Sequence, residues 1–244
     1  MKQVSVLIPL RGRHLNLECL FDELAATLNS EYMTLMLFVD HDDKINDMVE
    51  QLIREYGHRF HLVESYYNSS RERYYSVKGF NYLFERTRTP RFIWLTNTVS
   101  LKYDWLNNVV AKFEKEFPDE VGVLSFGGKI NKANIGMSSM HFTVYNGDWF
   151  HGGYVMNYCD DELACRAILL GRYAFLQNSG AIINPGIIKD DLLYDSQEEK
   201  TRMKKIDRSL FYKRSATNFG LPKNKTHLWT GFREINYPIP MIKE

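Results

Sequence analysis

The sequence predicts an α/β fold built on a mostly parallel sheet, and three observations carry that reading. Continuous apolar, β-branched runs alternate with segments whose apolar residues recur at helical spacing. The runs lack the apolar/polar alternation of a half-exposed strand, so they read as strands covered on both faces. Polar residues cluster where the runs stop, which is the edge where open α/β sheets bind ligands.

Taken in order, Val4-Ser5-Val6-Leu7-Ile8 is the first strand and residues 15–28 the first helix. Residues 33–39 form a second apolar run, ending at Asp40-His41-Asp42-Asp43, and residues 46–56 a second amphipathic helix. Residues 61–64 read as a short third strand. Residues 76–86 put Val77, Phe80, Leu83 and Phe84 on one helical face, and Phe92-Ile93-Trp94-Leu95 is a buried strand ending in Thr96-Asn97-Thr98. Residues 104–117 are helical. Beyond residue 120 the pattern loosens into an α+β half, with strands at 121–126 and 140–145 among glycines at 127, 128, 136, 147, 152 and 153. Residues 160–171 form a helix stopped by Gly171, and a polar, basic helical tail covers 190–219. The expected organisation is one domain over 1–189, divided into a first half (1–118) and a second half (119–189), with 190–244 as a basic extension packed on it.

Composition narrows the class further. Of 244 residues, 44% are hydrophobic and 25% charged, which excludes disordered, collagenous and coiled-coil chains. With 31 Lys+Arg against 30 Asp+Glu the net charge is +1, so overall charge calls for neither a polyanion nor a membrane surface. Three cysteines without a Cys-x-x-Cys pair suggest neither a disulfide framework nor a zinc ribbon. The first apolar run is too short for a signal peptide, and no stretch reaches the ~18 apolar residues of a membrane span. A soluble, cytoplasmic protein without a transmembrane segment is expected. The 14% aromatic content suits either a large core or a stacking cleft.

Three strand ends carry polar residues: Arg11-Gly12-Arg13, Asp40 to Asp43, and Thr96-Asn97-Thr98. Neither a Gly-x-Gly-x-x-Gly nor a Walker sequence accompanies them, so a dinucleotide fold and a P-loop ATPase are unsupported. Arg11 and Arg13 are suited to neutralising a diphosphate, and Asp40 to accepting a uracil imide proton or a ribose hydroxyl. Solvated loop charges are the competing reading.

The motif order Val4-Ser5-Val6-Leu7-Ile8-Pro9, Phe38-Val39-Asp40, Ser76-Val77-Lys78-Gly79-Phe80-Asn81 and Phe92 to Asn97 with Trp105-Leu106 resembles the donor half of a GT-A glycosyltransferase of family 2 type. Pro9-Leu10-Arg11-Gly12-Arg13 is similar to a Pro-x-Arg-x-Arg segment of the β-1,4-galactosyltransferases. Gly152-Gly153, Cys159-Asp160-Asp161-Glu162-Leu163, Arg166 and Gly171 resemble the family's Gly-Gly, Glu-Asp-x-Asp-Leu, Arg, Gly block. The resemblance covers roughly residues 3–175. It implies a GT-A fold, a nucleotide-sugar donor such as a UDP-sugar, a carbohydrate or other hydroxyl acceptor, and an inverting transfer of a hexosyl or pentosyl group.

By that resemblance Pro9, Arg11, Arg13 and Asp40 contact the nucleoside diphosphate, with Lys78, Asn81, Asn97 and Thr98 close to the donor. Asp160 takes the place of the catalytic base, with Asp161 beside it. Trp149, Gly152 and Gly153 fall on the acceptor side. Plainer readings stand next to these: an exposed helix face for Lys78 and Asn81, acids favoured by a helix dipole for 160–162, and core packing for Trp149. His141 and His151 lack company at metal spacing and read as packed or surface residues.

One departure concerns the metal. The family ends its strand in Asp-x-Asp or Asn-Asn-Asp, whose carboxylate holds Mn²⁺ or Mg²⁺, whereas Thr98 stands at that place here. Metal-independent transfer assisted by Arg11, Arg13 and tail cations, a metal held elsewhere, and an inactive nucleotide-sugar-binding or scaffold protein are all consistent with this. Residues 200–225 hold nine Lys and Arg against the single Asp207. That tail fits a solvated helix, cations turned toward the donor diphosphate, or nucleic acid, the last matching a phage-type transferase that glycosylates hydroxymethylated DNA bases.

Overall fold

The computed structural model describes residues 2–10, 14–40, 43–69, 74–128, 130, 132–146, 149–183 and 197–221. Strands β1 (Val4–Leu10), β2 (Met33–Val39), β3 (Leu62–Tyr67) and β4 (Arg91–Trp94) are mutually parallel where they pair. Three more follow: β6 (Val123–Phe126), β7 (Gly136–Ser139) and β8 (Tyr173–Leu176). They complete a seven-stranded sheet of order β3-β2-β1-β4-β7-β6-β8, in which β7 alone runs antiparallel to its neighbours. A separate antiparallel pair joins β5 (Val99–Leu101) to β9 (Ala181–Ile183).

The continuous apolar runs have the cause expected of them. In β1, Val4, Val6, Ile8 and Leu10 enter one core, and Leu7 enters the core on the opposite face. In β2, Met33, Leu35, Leu37 and Val39 take the first face, and Met36 and Phe38 the second. The first core is closed by helices α1 (His14–Ala25), α2 (Asp43–Tyr56) and α4 (Trp105–Glu116), through residues such as Phe21, Val49 and Val109. The second is closed by α3 (Ser76–Phe84), α5 (Met140–Asn146) and α6 (Cys159–Leu169). Burying a side chain of this kind contributes about 1.5–3 kcal/mol, so both faces must be covered for the runs to be stable.

The sequence expectation at 140–145 is corrected: those residues are helix α5, and the strand lies just before them. The Ser139 hydroxyl accepts the Phe142 N–H at 3.2 Å, the bond of an N-cap, and turns the chain into a helix despite its β-branched residues. Gly136 is needed in β7 because a Cβ there would lie 2.5 Å from the Trp94 ring and 2.8 Å from the Leu124 carbonyl oxygen. The basic tail forms helix α7 (Gln197–Ser215). It is docked through Met203, Asp207 and Phe211, which are 2%, 0% and 6% exposed.

Candidate active site

The chain order puts several segments at one edge. β1, β2 and β4 end together, β6 runs parallel to β4 through the intervening β7, and α6 leads into β8, which is parallel to β6. The end of β4, the β6–β7 loop and the N-terminus of α6 therefore meet at the carboxyl edge of the sheet. The connections also reverse direction between β1 and β4, where such sheets bind ligands. There a cleft of about 370 Å³ is lined by Thr96 from the β4 end, Lys132 and Asn134 from the β6–β7 loop, Asp160 and Asp161 from α6, and Lys204 from α7.

Each of these side chains is positioned by backbone that the core holds. The buried Trp94 indole N–H donates to the Ala133 carbonyl at 2.7 Å, and the Ser125 hydroxyl donates to the Lys132 carbonyl, which fixes the β6–β7 loop. From that loop the Asn134 amide donates to Asp160, and the Lys132 ammonium pairs with Asp161 at 2.9 Å. Tyr158, immediately before α6, adopts a left-handed conformation (φ 64°) that costs a bulky residue energy and persists only where surrounding bonds impose it. Just before it, the chain is held by Asp207. Its carboxylate, fully buried, accepts the backbone N–H groups of Val155, Met156 and Asn157 at 2.8, 2.9 and 2.8 Å.

Behind the acids lies a buried ionic network. Glu162, fully buried, accepts from the Tyr154 hydroxyl at 2.7 Å and from two nitrogens of Arg214 at 2.7 and 2.8 Å, with Arg166 Nε 3.4 Å away. Arg166 also donates to the Trp149 carbonyl. Burial, then the Glu162 charge and hydrogen bond, push the Tyr154 hydroxyl far above its ordinary value, so it acts as a donor only. Glu162 and Arg166 are thus structural, and the acids that line the cleft are Asp160 and Asp161. Burial foremost, then the adjacent Asp161 charge, raise Asp160 to about 6, with Lys132 pulling in the other direction. Burial works against the Lys132 ammonium, but the Asp161 ion pair more than offsets it and its pKa is raised.

The remaining residues singled out in the sequence are distributed as follows. Asp40, 2% exposed at the end of β2, accepts from the Asn68 amide at 2.7 Å and the Tyr74 N–H at 2.9 Å through one oxygen. Its second oxygen is buried and has no hydrogen-bond partner among the described residues. Pro9 pairs with Phe38 in the sheet, and both approach Gly79 of α3 so closely that a Cβ there would lie 3.1 Å from each. α3 turns Ser76 and Phe80 to the cleft. Lys78 is exposed with its ammonium 5.3 Å from the Tyr74 ring centre, and the Asn81 amide holds the Phe150 carbonyl at 3.1 Å.

Trp149 is 2% exposed, stacked on Phe150 at 4.2 Å and edge-on to Phe80, Phe92 and Trp94, so of this pair Phe150 reaches the cleft wall. Gly152 and Gly153 form an exposed turn in which the Gly153 N–H donates to His151 Nδ1 at 3.1 Å. His141 is exposed. Arg11 and Arg13 lie outside the described residues, as do Lys223 and Lys225 of the tail.

Lys132, Asn134 and Asp207 are site residues that sequence patterns do not reveal. Lys132 and Asn134 sit in an irregular loop with no period to mark them. Asp207 had one signal, its isolation as the sole acid among nine cations. On α7, Arg202, Lys205, Arg208 and Lys213 are exposed, and the Arg208 Nε donates to the Tyr212 hydroxyl at 3.3 Å.

The β4 end is poorly suited to a divalent metal. Thr96 and Thr98 place their hydroxyls 3.0 Å apart with no carboxylate between them, and Mg²⁺ or Mn²⁺ sites draw chiefly on carboxylate oxygens. Among the described residues no cluster of three or more His, Cys, Asp or Glu could hold a metal. No described helix is long and apolar enough to cross a membrane.

No family model matches the chain, and no curated protein does. Solved structures do. The mannosyltransferase PcManGT from Pyrobaculum calidifontis, in complex with GDP-Man and Mn²⁺, is 9% identical, with a TM-score of 0.66 over 88% of this chain and 64% of that one. S. aureus TarS residues 1–349 in complex with UDP-GlcNAc are 13% identical, with a TM-score of 0.62 over 86% of this chain and 64% of that one. A further TarS structure gives 0.59 over 75% of this chain and 36% of that one. The chain spans less than two thirds of the length of each. With its seven-stranded, mostly parallel sheet flanked by helices, the chain has the fold of GT-A glycosyltransferases.

Proposed function

We propose that this protein transfers a sugar from a nucleotide-sugar donor to a hydroxyl acceptor with inversion, and that Asp160 is the base. The observation that carries the reading is Asp160 itself: a half-buried carboxylate on the wall of the cleft at the sheet's carboxyl edge, raised to about 6. A base near the operating pH is ionised at neutrality and still holds a proton well enough to remove one from an attacking hydroxyl. The acceptor oxygen attacks the anomeric carbon as its proton passes to Asp160. The bond from that carbon to the diphosphate breaks on the opposite face, and the diphosphate leaves with the electron pair.

Asp40 supports a nucleoside end to the same site. One buried Asp40 oxygen has no partner among the described residues, which is costly unless something satisfies it, and an imide N–H or ribose hydroxyl would do so. The solved neighbours include proteins bound to GDP-Man and to UDP-GlcNAc, so donors of both nucleotide types belong in the test.

The test is thermal-shift screening against UDP- and GDP-sugars, followed by product detection with simple glycoside acceptors. A donor at a hundredfold excess over its Kd stabilises by about 2.7 kcal/mol. Stabilisation by one nucleotide series with slow release of the nucleoside diphosphate is expected. Stabilisation by none of the donors refutes the reading, and binding with no turnover under any condition reduces the protein to a nucleotide-sugar-binding scaffold.

A further inference from the structure

We propose that Lys204, carried into the cleft by α7, acts with Lys132 as the cation that receives the departing diphosphate, in the role for which the β4 end is not equipped to hold a metal. This rests on the glycosyl-transfer reading of the same cleft and names what stabilises its leaving group.

The position of Lys204 is built into the fold. It follows Met203 and precedes Asp207 by three residues, and both of those are buried, so the rotation of α7 about its axis is fixed. Three charge-assisted bonds donated by the 155–157 backbone N–H groups to Asp207 tie α7 to the segment that leads into α6. With that helix docked, Lys204 lines the same cleft as Thr96, Asp160, Asp161 and the β6–β7 loop's Lys132.

The charges also balance through the reaction. Among the described lining residues the acids and bases are Asp160, Asp161, Lys132 and Lys204, which sum to zero when all are ionised. As the acceptor proton moves to Asp160, that sum becomes +1. At the same moment the bond between the anomeric carbon and oxygen breaks and the diphosphate gains negative charge. Positive charge therefore develops in the cleft where negative charge appears, with no metal in the sequence of events. An ammonium is a mobile point charge with three donors and can follow a leaving phosphate oxygen. The Thr96 hydroxyl, on the same wall, adds a neutral donor.

Calorimetry with UDP and GDP, and with uridine and guanosine as phosphate-free controls, tests the proposal in EDTA and in Mn²⁺. Wild-type affinity for the nucleoside diphosphate is expected to agree within about twofold in the two buffers. Lys204→Ala should weaken the diphosphate by about tenfold or more, the range for a hydrogen bond to a charged group, and leave the nucleoside unchanged. Lys205→Ala, an exposed neighbour outside the cleft, should change neither. Affinity that collapses in EDTA, an unchanged Lys204→Ala, or equal loss for nucleoside and diphosphate each overturns the Lys204 role while leaving glycosyl transfer standing. A wild type that binds neither diphosphate refutes both.

Discussion

Asp160→Asn should make the protein more stable and less active, and the stability gain should depend on pH in a direction that the site dictates. Burial and Asp161 raise the Asp160 carboxyl from its ordinary 3.8 to about 6. The folded state therefore binds this proton more tightly than the unfolded chain does. Its contribution to stability is complete below about pH 4 and is lost as pH rises through about 6. A shift near two units corresponds to about 3 kcal/mol at most, and the cleft's opening to solvent brings the expectation to about 1–3 kcal/mol. Asparagine stays neutral, keeps an oxygen for the Asn134 amide, and leaves Lys132 its partner Asp161. In a chain of this size about 1 kcal/mol moves Tm by 2–4 °C, so the variant should melt roughly 2–12 °C above wild type at pH 8 and match it near pH 4. Transfer should fall by about 10²- to 10⁴-fold, the usual worth of a general base. Differential scanning fluorimetry at the two pH values, beside a transfer assay, measures both. A Tm change equal at both pH values, or a loss at pH 8, would refute the account of the Asp160 environment. Normal turnover would refute its role.

Two further predictions concern the scaffold. Asp207→Ala leaves three backbone N–H groups without this acceptor in a part-buried place and should cost about 2–3 kcal/mol in urea unfolding; a loss below about 1 kcal/mol would mean the 155–157 loop does not depend on it. Glu120, held by Arg91 foremost and also by Lys2, is pushed down to about 2, so its contribution is present above about pH 4.5 and lost as pH falls through 2. Glu120→Gln should therefore lower Tm at pH 7 and converge on wild type toward pH 2, and a gap that persists unchanged into acid would contradict the ion-pair assignment.

How far the sequence disclosed this protein depended on how each residue is buried. The runs of β1, β2 and β4 were legible because residues on both faces are apolar, and α2 because only one stripe is. β7 was not, since its Gly-Met-Ser-Ser sequence has little strand propensity and Gly136 is there for its lack of a side chain against Trp94. α5 was misread because Phe142, Thr143 and Val144 favour strands, while the deciding feature is one hydroxyl on Ser139. Within the site, Asp160 and Asp161 carried a local pattern, three acids opening a helix. Lys132 carried none and Lys204 only its place in the basic tail, because what qualifies them is arrival at a common cleft from segments far apart in the chain. Trp149 shows the converse: a residue suited to stacking a sugar is placed in the core by five aromatic neighbours.

The Asp207 bonds join residues 50 to 52 positions apart, and this fixes the order in which the site can come into being. During synthesis the sheet and α6 emerge first and can fold around their own cores. The 155–157 backbone just before Tyr158, however, gains its Asp207 acceptor only when α7 arrives and closes a long loop, a step whose entropic cost grows only slowly with loop length. The sheet edge and the segment that leads into Asp160 therefore mature separately, the second on the docking of a single helix. The same helix can release as a unit, with most of the sheet intact. Hydrogen exchange at Val155, Met156 and Asn157 would then follow one common opening rate, shared with α7 and distinct from that of the sheet, and that rate sets how often the α7 wall of the cleft comes away.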